Sequence, residues 1–270
     1  MFRPRTRATT GQSAGGRPRR RSLAAAAVTI AIAVVSLAPL AAAEAATKTT
    51  AKKATAPIAN PCPAATNTTV AAMTNTKYGA TIKVYTEPDD TKQPQFYLAV
   101  GSEFQGAGVF TVNKTEGPWL NVNVPQRPNG VTGWIKANEV HTYQHSYFMK
   151  LQLGARLLTV CNSGRVIQQE KVGVGLSSRP TPTGLFYTVD LIRPKGGPNG
   201  AYGPYAFGLS GFSESVFDFA GGDGRLGLHG TNKPALLGTA ASSGCIRLSN
   251  VAITKLAKTL PLGVPIQITT

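Results

Sequence analysis

The apolar pattern changes texture along the chain. Residues 46 to about 72 are Ala, Thr, Lys, Asn and Pro with scarcely a large apolar side chain, so residues 46–77 read as a flexible spacer with Cys62 set between Pro61 and Pro63. From Tyr78 onward, short apolar runs alternate with turn residues. Residues 81–85 are followed by a Glu87-Pro88-Asp89-Asp90 turn, and residues 95–100 and 108–112 are further strand candidates. Leu120, Val122 and Val124 alternate with Asn121 and Asn123, the period of a half-buried strand. Pro128-Asn129-Gly130 then turns the chain into residues 131–135, which predicts a hairpin. A run of short strands with no helical period predicts a small β-barrel over residues 78–142.

A second strand-rich unit is predicted over residues 147–270. Residues 151–153 and 156–161 read as strands, and Asn162-Ser163-Gly164 turns into Val166 and Ile167. Residues 171–175, a Pro-Thr-Pro-Thr-Gly turn at 180–184 and the run 185–189 continue the pattern. One helix is predicted near the end. Asn250 is a suitable N-cap, Ile253, Leu256, Ala257 and Leu260 share a face, and Pro261 and Gly263 end it. Val264, Ile266 and Ile268 alternate as a last strand, so the fold class is mainly β, a small barrel followed by a β-sandwich-like unit with one C-terminal helix.

Charge adds a compartment to this picture. The 270 residues carry 28 Lys+Arg against 12 Asp+Glu, a net +16, and 42% are hydrophobic. Collagen-like, coiled-coil and multi-span membrane classes are excluded by that composition. Charged residues are only 15% of the chain, so the basic balance reflects scarce acids and no nucleic-acid partner is expected. Seven basic residues precede position 22, an apolar Ala-rich run fills 23–40, and Ala41-Ala42-Ala43 or Ala43-Glu44-Ala45 offers a cleavage pattern. Residues 1–45 therefore read as a secretory signal, with Arg20-Arg21 compatible with the twin-arginine route and an uncleaved N-terminal anchor as the alternative. Cleavage leaves 21 basic against 11 acidic residues, a surface suited to anionic cell-wall polymers.

Candidate chemistry concentrates between Asp223 and Asn250. His229 ends a short apolar run and precedes Gly230, and Cys245 follows Gly244 and precedes Ile246-Arg247-Leu248. A nucleophilic cysteine needs an imidazole in reach and room for a carbonyl, and glycines beside both groups supply that room. On spacing alone, a core histidine and a buried cysteine fit equally well. Three cysteines in an exported chain leave one over, and Cys62, Cys161 and Cys245 allow three pairings. If Cys62 and Cys161 pair, Cys245 alone stays reduced. His141 and His145 read as surface or linker residues, and Trp119 and Trp134 as core aromatics or a ligand-stacking pair.

The longer strings carry a resemblance. His229-Gly230-Thr231-Asn232, followed by Ser242-Ser243-Gly244-Cys245-Ile246-Arg247-Leu248-Ser249-Asn250, resembles the signature of the L,D-transpeptidase (YkuD-type) family. Residues 182–186 and Tyr202-Gly203-Pro204-Tyr205 are similar to further family segments, and residues 78–142 resemble a bacterial Src-homology-three-like barrel. The resemblance implies a predominantly β catalytic domain over about 147–270 that acts on peptidoglycan stem peptides through a cysteine acyl-enzyme, with no metal or organic cofactor and no specific protein partner. Carried over, Cys245 is the nucleophile and His229 its base, oriented by the Gly230 carbonyl. Backbone N–H groups at Gly244 and Cys245 are expected to face the oxyanion. Ser243 stands where the family usually has a second His, and a hydroxyl can donate a hydrogen bond but carries no charge. Arg247 either binds a stem carboxylate or anchors the turn to backbone carbonyls, and Tyr202 and Tyr205 either cover the groove or pack as aromatics. The expected activity is cross-linking of third-position stem residues with release of D-alanine. The alternatives are a hydrolase using water as acceptor and a silenced wall-binding protein.

Overall fold

The computed structural model describes residues 60–75, 81–100, 108–218 and 222–270. The chain divides into Met1–Ala54 and Thr55–Thr270, and all described residues belong to the second unit. The signal segment and residues 46–59 of the expected spacer lie outside the described residues.

The first half is built from β1 (Thr69–Thr74), β2 (Thr81–Val84), β3 (Phe96–Ala99), β4 (Val109–Glu116), β5 (Trp119–Asn123), β6 (Thr132–Lys136) and β7 (Val140–His145). Five of these form an antiparallel sheet in the order β6-β5-β4-β1-β7, and β2 and β3 pair as a hairpin bridged to β6 through Tyr85 and Trp134. Ala72, Ile82, Val84, Phe110, Val122 and Ile135 close the core between them. Residues 69–74 correct the spacer reading, because they are the strand that joins β4 to β7 and extend this unit well before Tyr78. Their small side chains hide them in the hydrophobic pattern but suit a strand with a neighbour on each side. Trp119 and Trp134 are buried with Tyr85, as the core alternative expected.

The second half comprises β8 (Tyr147–Gln152), β9 (Leu157–Asn162), β10 (Arg165–Lys171), β11 (Val174–Gly175), β12 (Gly184–Ile192), β13 (Ala206–Phe212), β14 (Arg225–His229), β15 (Ala240–Ser242), β16 (Ile246–Arg247), α1 (Asn250–Thr259) and β17 (Pro265–Thr269). Eight of the strands form one sheet in the order β10-β9-β8-β17-β12-β13-β14-β16. Strand β12 links its two parts. Gly184 to Tyr187 pair with β17, and Thr188 to Ile192 pair with β13, with a register shift between Thr188 and Asp190. A bulged strand that changes partners is how one sheet turns a corner and encloses a core. That core contains Leu158, Phe207, Leu228, Ile246 and Ile266.

Helix α1 lies on this core through Ala252, Ile253 and Leu256, while Val251 faces solvent at 82% exposure. Burial of Ile253 and Leu256 contributes about 1.5–3 kcal/mol each. The cap is Ser249, whose side chain accepts the Ala252 N–H at 3.1 Å, and not Asn250. Asn250 is displaced into the first turn because its amide is committed elsewhere, as described below.

The two halves are joined by covalent and polar links. Cys62 and Cys161 form a disulfide across 99 residues, which leaves Cys245 free. Tyr187 Oη donates to Asn123 O at 2.7 Å, Tyr143 Oη to Leu262 O at 3.0 Å and His145 Nε2 to Gly263 O at 3.3 Å. His145 is therefore a half-buried joint residue and not a linker histidine, and burial lowers its pKa against the raising effect of the Gly263 bond. His141 is exposed beside Asn75.

Candidate active site

Two neighbouring strands bring the sequence-predicted pair together. β14 and β16 run parallel, with Leu228 opposite Ile246 and His229 opposite Arg247. Alternation puts Gly227 and His229 on one face of β14, and the same alternation puts Cys245 and Arg247 together beside them. A Cβ at Gly227 would make ordinary contacts, 3.6 Å from Cys245 Sγ and 3.7 Å from His229 Cδ2, so the sulfur and the ring approach the same point over this glycine.

The imidazole is pinned from behind. His229 Nδ1 donates to Gly230 O at 2.6 Å, which fixes the tautomer and leaves Nε2 with its lone pair on the ring edge that includes Cδ2. Tyr202 meets the ring edge-on at 4.7 Å between centroids. The turn that leads into Cys245 is held by two hydroxyls. Ser242 Oγ donates to Cys245 O at 2.6 Å and accepts the Gly244 N–H at 3.1 Å. Thr181 Oγ1 donates to Gly244 O at 2.7 Å and accepts the Gly175 N–H at 2.9 Å. Gly244 has φ +117°, a conformation that favours glycine.

These bonds revise the expected oxyanion donors. The Gly244 N–H is already taken by Ser242, whereas the Cys245 N–H meets no protein acceptor among the described residues. Tyr202, Ser243, Arg247 and Cys245 line a cavity of about 120 Å³ together with His229 and Arg225. Tyr205 does not line it. Its ring packs against the core beneath the Arg193 guanidinium, and its carbonyl accepts the Gly230 N–H at 3.3 Å. Arg247 exchanges main-chain bonds with Gly173, but its side chain anchors no carbonyl, and its buried Nε is unpartnered among the described residues.

The comparisons with known proteins place this arrangement. The model of the YkuD family, described as the L,D-transpeptidase catalytic domain, matches residues 146–268. The Bacillus subtilis (strain 168) protein named "Putative L,D-transpeptidase YkuD" is 36% identical over 126 residues, which span 47% of this chain and 68% of that protein. Its namesake in Bacillus licheniformis is 32% identical over 123 residues, or 46% and 66% of the two chains. The chain belongs to the YkuD-type L,D-transpeptidase family. Among solved structures, the LD transpeptidase LdtMt1 in complex with imipenem is similar at 16% identity and a TM-score of 0.40, covering 60% of this chain and 90% of that one. An L,D-transpeptidase from Mycobacterium smegmatis is similar at 15% identity and a TM-score of 0.38, covering 70% and 99%.

In this L,D-transpeptidase domain burial favours the uncharged forms of both His229 and Cys245. Burial pushes the His229 pKa down to about 4, helped by the positive charge of Arg247 and opposed by the Gly230 bond. Burial pushes the Cys245 thiol up, opposed by a Gly227 backbone bond and by Arg247. These shifts favour a neutral imidazole and a neutral thiol over a preformed thiolate–imidazolium pair.

Several residues that hold His229 and Cys245 in place carry no site role in the sequence pattern, although Ser242 and Asn250 stand in the family signature. Gly227, Ser242, Thr181 and Asn250 act through the residues above. Asn250 Oδ1 accepts the Thr231 N–H and Nδ2 donates to Pro198 O, both at 2.9 Å, tying the segment after His229 to the one that carries Tyr202. A glycine inside the run Leu226-Gly227-Leu228 was the available signal for Gly227. From the first half, Arg127 donates to Ser213 O at 2.7 Å, Asp223 O at 2.9 Å and Val216 O at 3.2 Å. Asn129 exchanges two bonds with the Phe212 backbone, at 2.8 and 2.9 Å. Ser213 and Val216 also line the cavity that contains His229 and Cys245, so residues of the first half hold part of its wall.

Proposed function

We propose that this chain is an exported peptidoglycan L,D-transpeptidase. The observation that carries the reading is the shared space over Gly227, into which the free Cys245 sulfur and the tautomer-fixed edge of His229 both open. His229 Nε2 takes the thiol proton as sulfur attacks the carbonyl of the third stem residue, and returns it to the departing amine of the terminal D-alanine. The Cys245 N–H is the supporting donor for the tetrahedral oxyanion. In the second half-reaction the thioester passes to the side-chain amine of another stem. His229 accepts that amine's proton, and the thiol recovers one as the amide forms. Arg247, with its Nε unpartnered, suits a stem carboxylate better than a purely structural role.

The basic mature chain, with its secretory signal, fits work in an anionic envelope. Intact-mass measurement after incubation with a carbapenem tests the nucleophile: the wild type gains one adduct and Cys245→Ala gains none. An unmodified wild type, or an equal adduct on the variant, overturns the assignment. Product analysis of tetrapeptide stems with and without an amine acceptor separates cross-linking from hydrolysis.

A further inference from the structure

The catalytic cavity contains two guanidinium groups, and none of its described lining residues is Asp or Glu. They belong to Arg225 and Arg247, and the buried Nε of each is without an acceptor among the described residues. Arg225 is the less expected of the two. Its side chain is only 11% exposed, its Asp223 partner stands 3.8 Å away, and its one carbonyl acceptor, Leu209 O, is 3.4 Å from Nη1. Arg127, stacked over the same Phe212 ring, shows what a structural guanidinium looks like in this fold, with three carbonyls between 2.7 and 3.2 Å. A buried guanidinium with unmet donors is costly unless a ligand completes it, and the planar fork matches a carboxylate.

Position separates the two cations. Arg247 lies two residues beyond Cys245 and faces His229, next to the scissile bond. Arg225 lines both the catalytic cavity and a larger one of about 320 Å³ whose walls include Tyr97, Phe110 and Arg127 of the first half. A peptide acylating Cys245 has its terminal carboxylate one residue from the sulfur and the rest of its chain further off.

We propose that Arg225 is a second carboxylate-binding residue, so that the site selects a donor stem with two free carboxylates: the terminal one at Arg247 and an internal one at Arg225. This rests on the transpeptidase reading above and names its substrate class. The test uses two stem peptides that differ only in whether the internal carboxylate is free or amidated, with the full-length wild type, Arg225→Gln and Arg225→Lys. The wild type prefers the free acid by about tenfold or more in kcat/KM, mainly through KM. Arg225→Gln brings the ratio to near unity, and Arg225→Lys retains part of it. A wild-type ratio near one, or an unchanged ratio in Arg225→Gln, overturns the inference. Titration of the same peptides onto Cys245→Ala separates this from the reading beneath it. If the wild type turns over neither stem, the transpeptidase reading fails, yet equal binding of both peptides to Cys245→Ala overturns the role of Arg225 and a preference for the free acid upholds it. If Arg225→Gln does not fold, Arg225→Lys carries the test: a reduced preference supports the inference and an unchanged one overturns it.

Discussion

The loop between β5 and β6 and the wall of the cavity around Cys245 both hold half-buried arginine, and they treat it in opposite ways. In the loop, Arg127 spends its donors on three carbonyls and Asn129 completes both polar groups of Phe212. In the cavity, Arg225 and Arg247 keep a buried Nε unsatisfied and the Cys245 N–H has no acceptor among the described residues. At Arg127 and Asn129 these bonds mark a joint whose work is finished on folding. The unmet donors beside the free Cys245 are the groups that the proposed substrate would complete.

That contrast predicts a separation of effects: changes in the cavity should alter chemistry, and changes at the joints should alter stability. The largest effect falls on the base. His229→Gln should lower kcat/KM by about 10²–10⁴ while its melting temperature stays close to wild type, and a rate within a few-fold of wild type would remove His229 from the mechanism. Next is the disulfide. Replacing Cys62 and Cys161 by Ser should cost about 2–5 kcal/mol in denaturant unfolding, with turnover kept under mild conditions. Thiol titration of the denatured wild type should give one reactive group before reduction and three after it.

Acid should reveal the buried imidazole. The His229 pKa is about 4 in the fold and about 6.5 when unfolded, so only the unfolded state gains that proton between the two values. Stability from this group is full above pH 6.5 and declines as pH falls toward 4, by on the order of 3 kcal/mol. His145 adds a smaller slope of the same sign, and buried Asp190, whose pKa is raised, opposes it at the acid end. Unfolding measured from pH 4 to 7 should therefore be steeper in the wild type than in His229→Gln. Arg127→Ala should cost about 2–3 kcal/mol while kcat/KM stays within a few-fold, because its bonds are made before substrate arrives. A large loss of rate at unchanged stability would break the comparison. The exposed Lys136–Asp90 pair is the control, and Asp90→Asn should leave both measurements unchanged.

How much was legible in the sequence follows the same division. His229, Cys245 and the Gly230 contact were legible only through the family resemblance of the strings around them, since spacing alone left a core histidine and a buried cysteine equally open. Most of the larger strands were readable from alternation, and the helix was misplaced at its cap by one residue, since Ser249 and Asn250 are both good capping types. Strand β1 was hidden because its core positions, Ala71 and Ala72, are too small to register as apolar, and a Cβ at Gly263 would stand 2.5 Å from Ala71 Cβ. Arg127 and Arg225 were hidden for a different reason. A single charged residue in a loop or at a strand start reads as solvent-facing, and only tertiary structure reveals whether its donors are met.

The bond between Cys62 and Cys161 also has a mechanical meaning. It connects the segment ahead of β1 directly to β9, a strand of the catalytic sheet. A pull on the chain before Cys62 therefore passes through sulfur into that sheet and leaves the enclosed chain, β1 to β8, outside the covalent load path. While the bond is intact, the first half bears none of that tension. Reduction would reroute the pull, stretching β1 to β7 in series before it reached the catalytic strands.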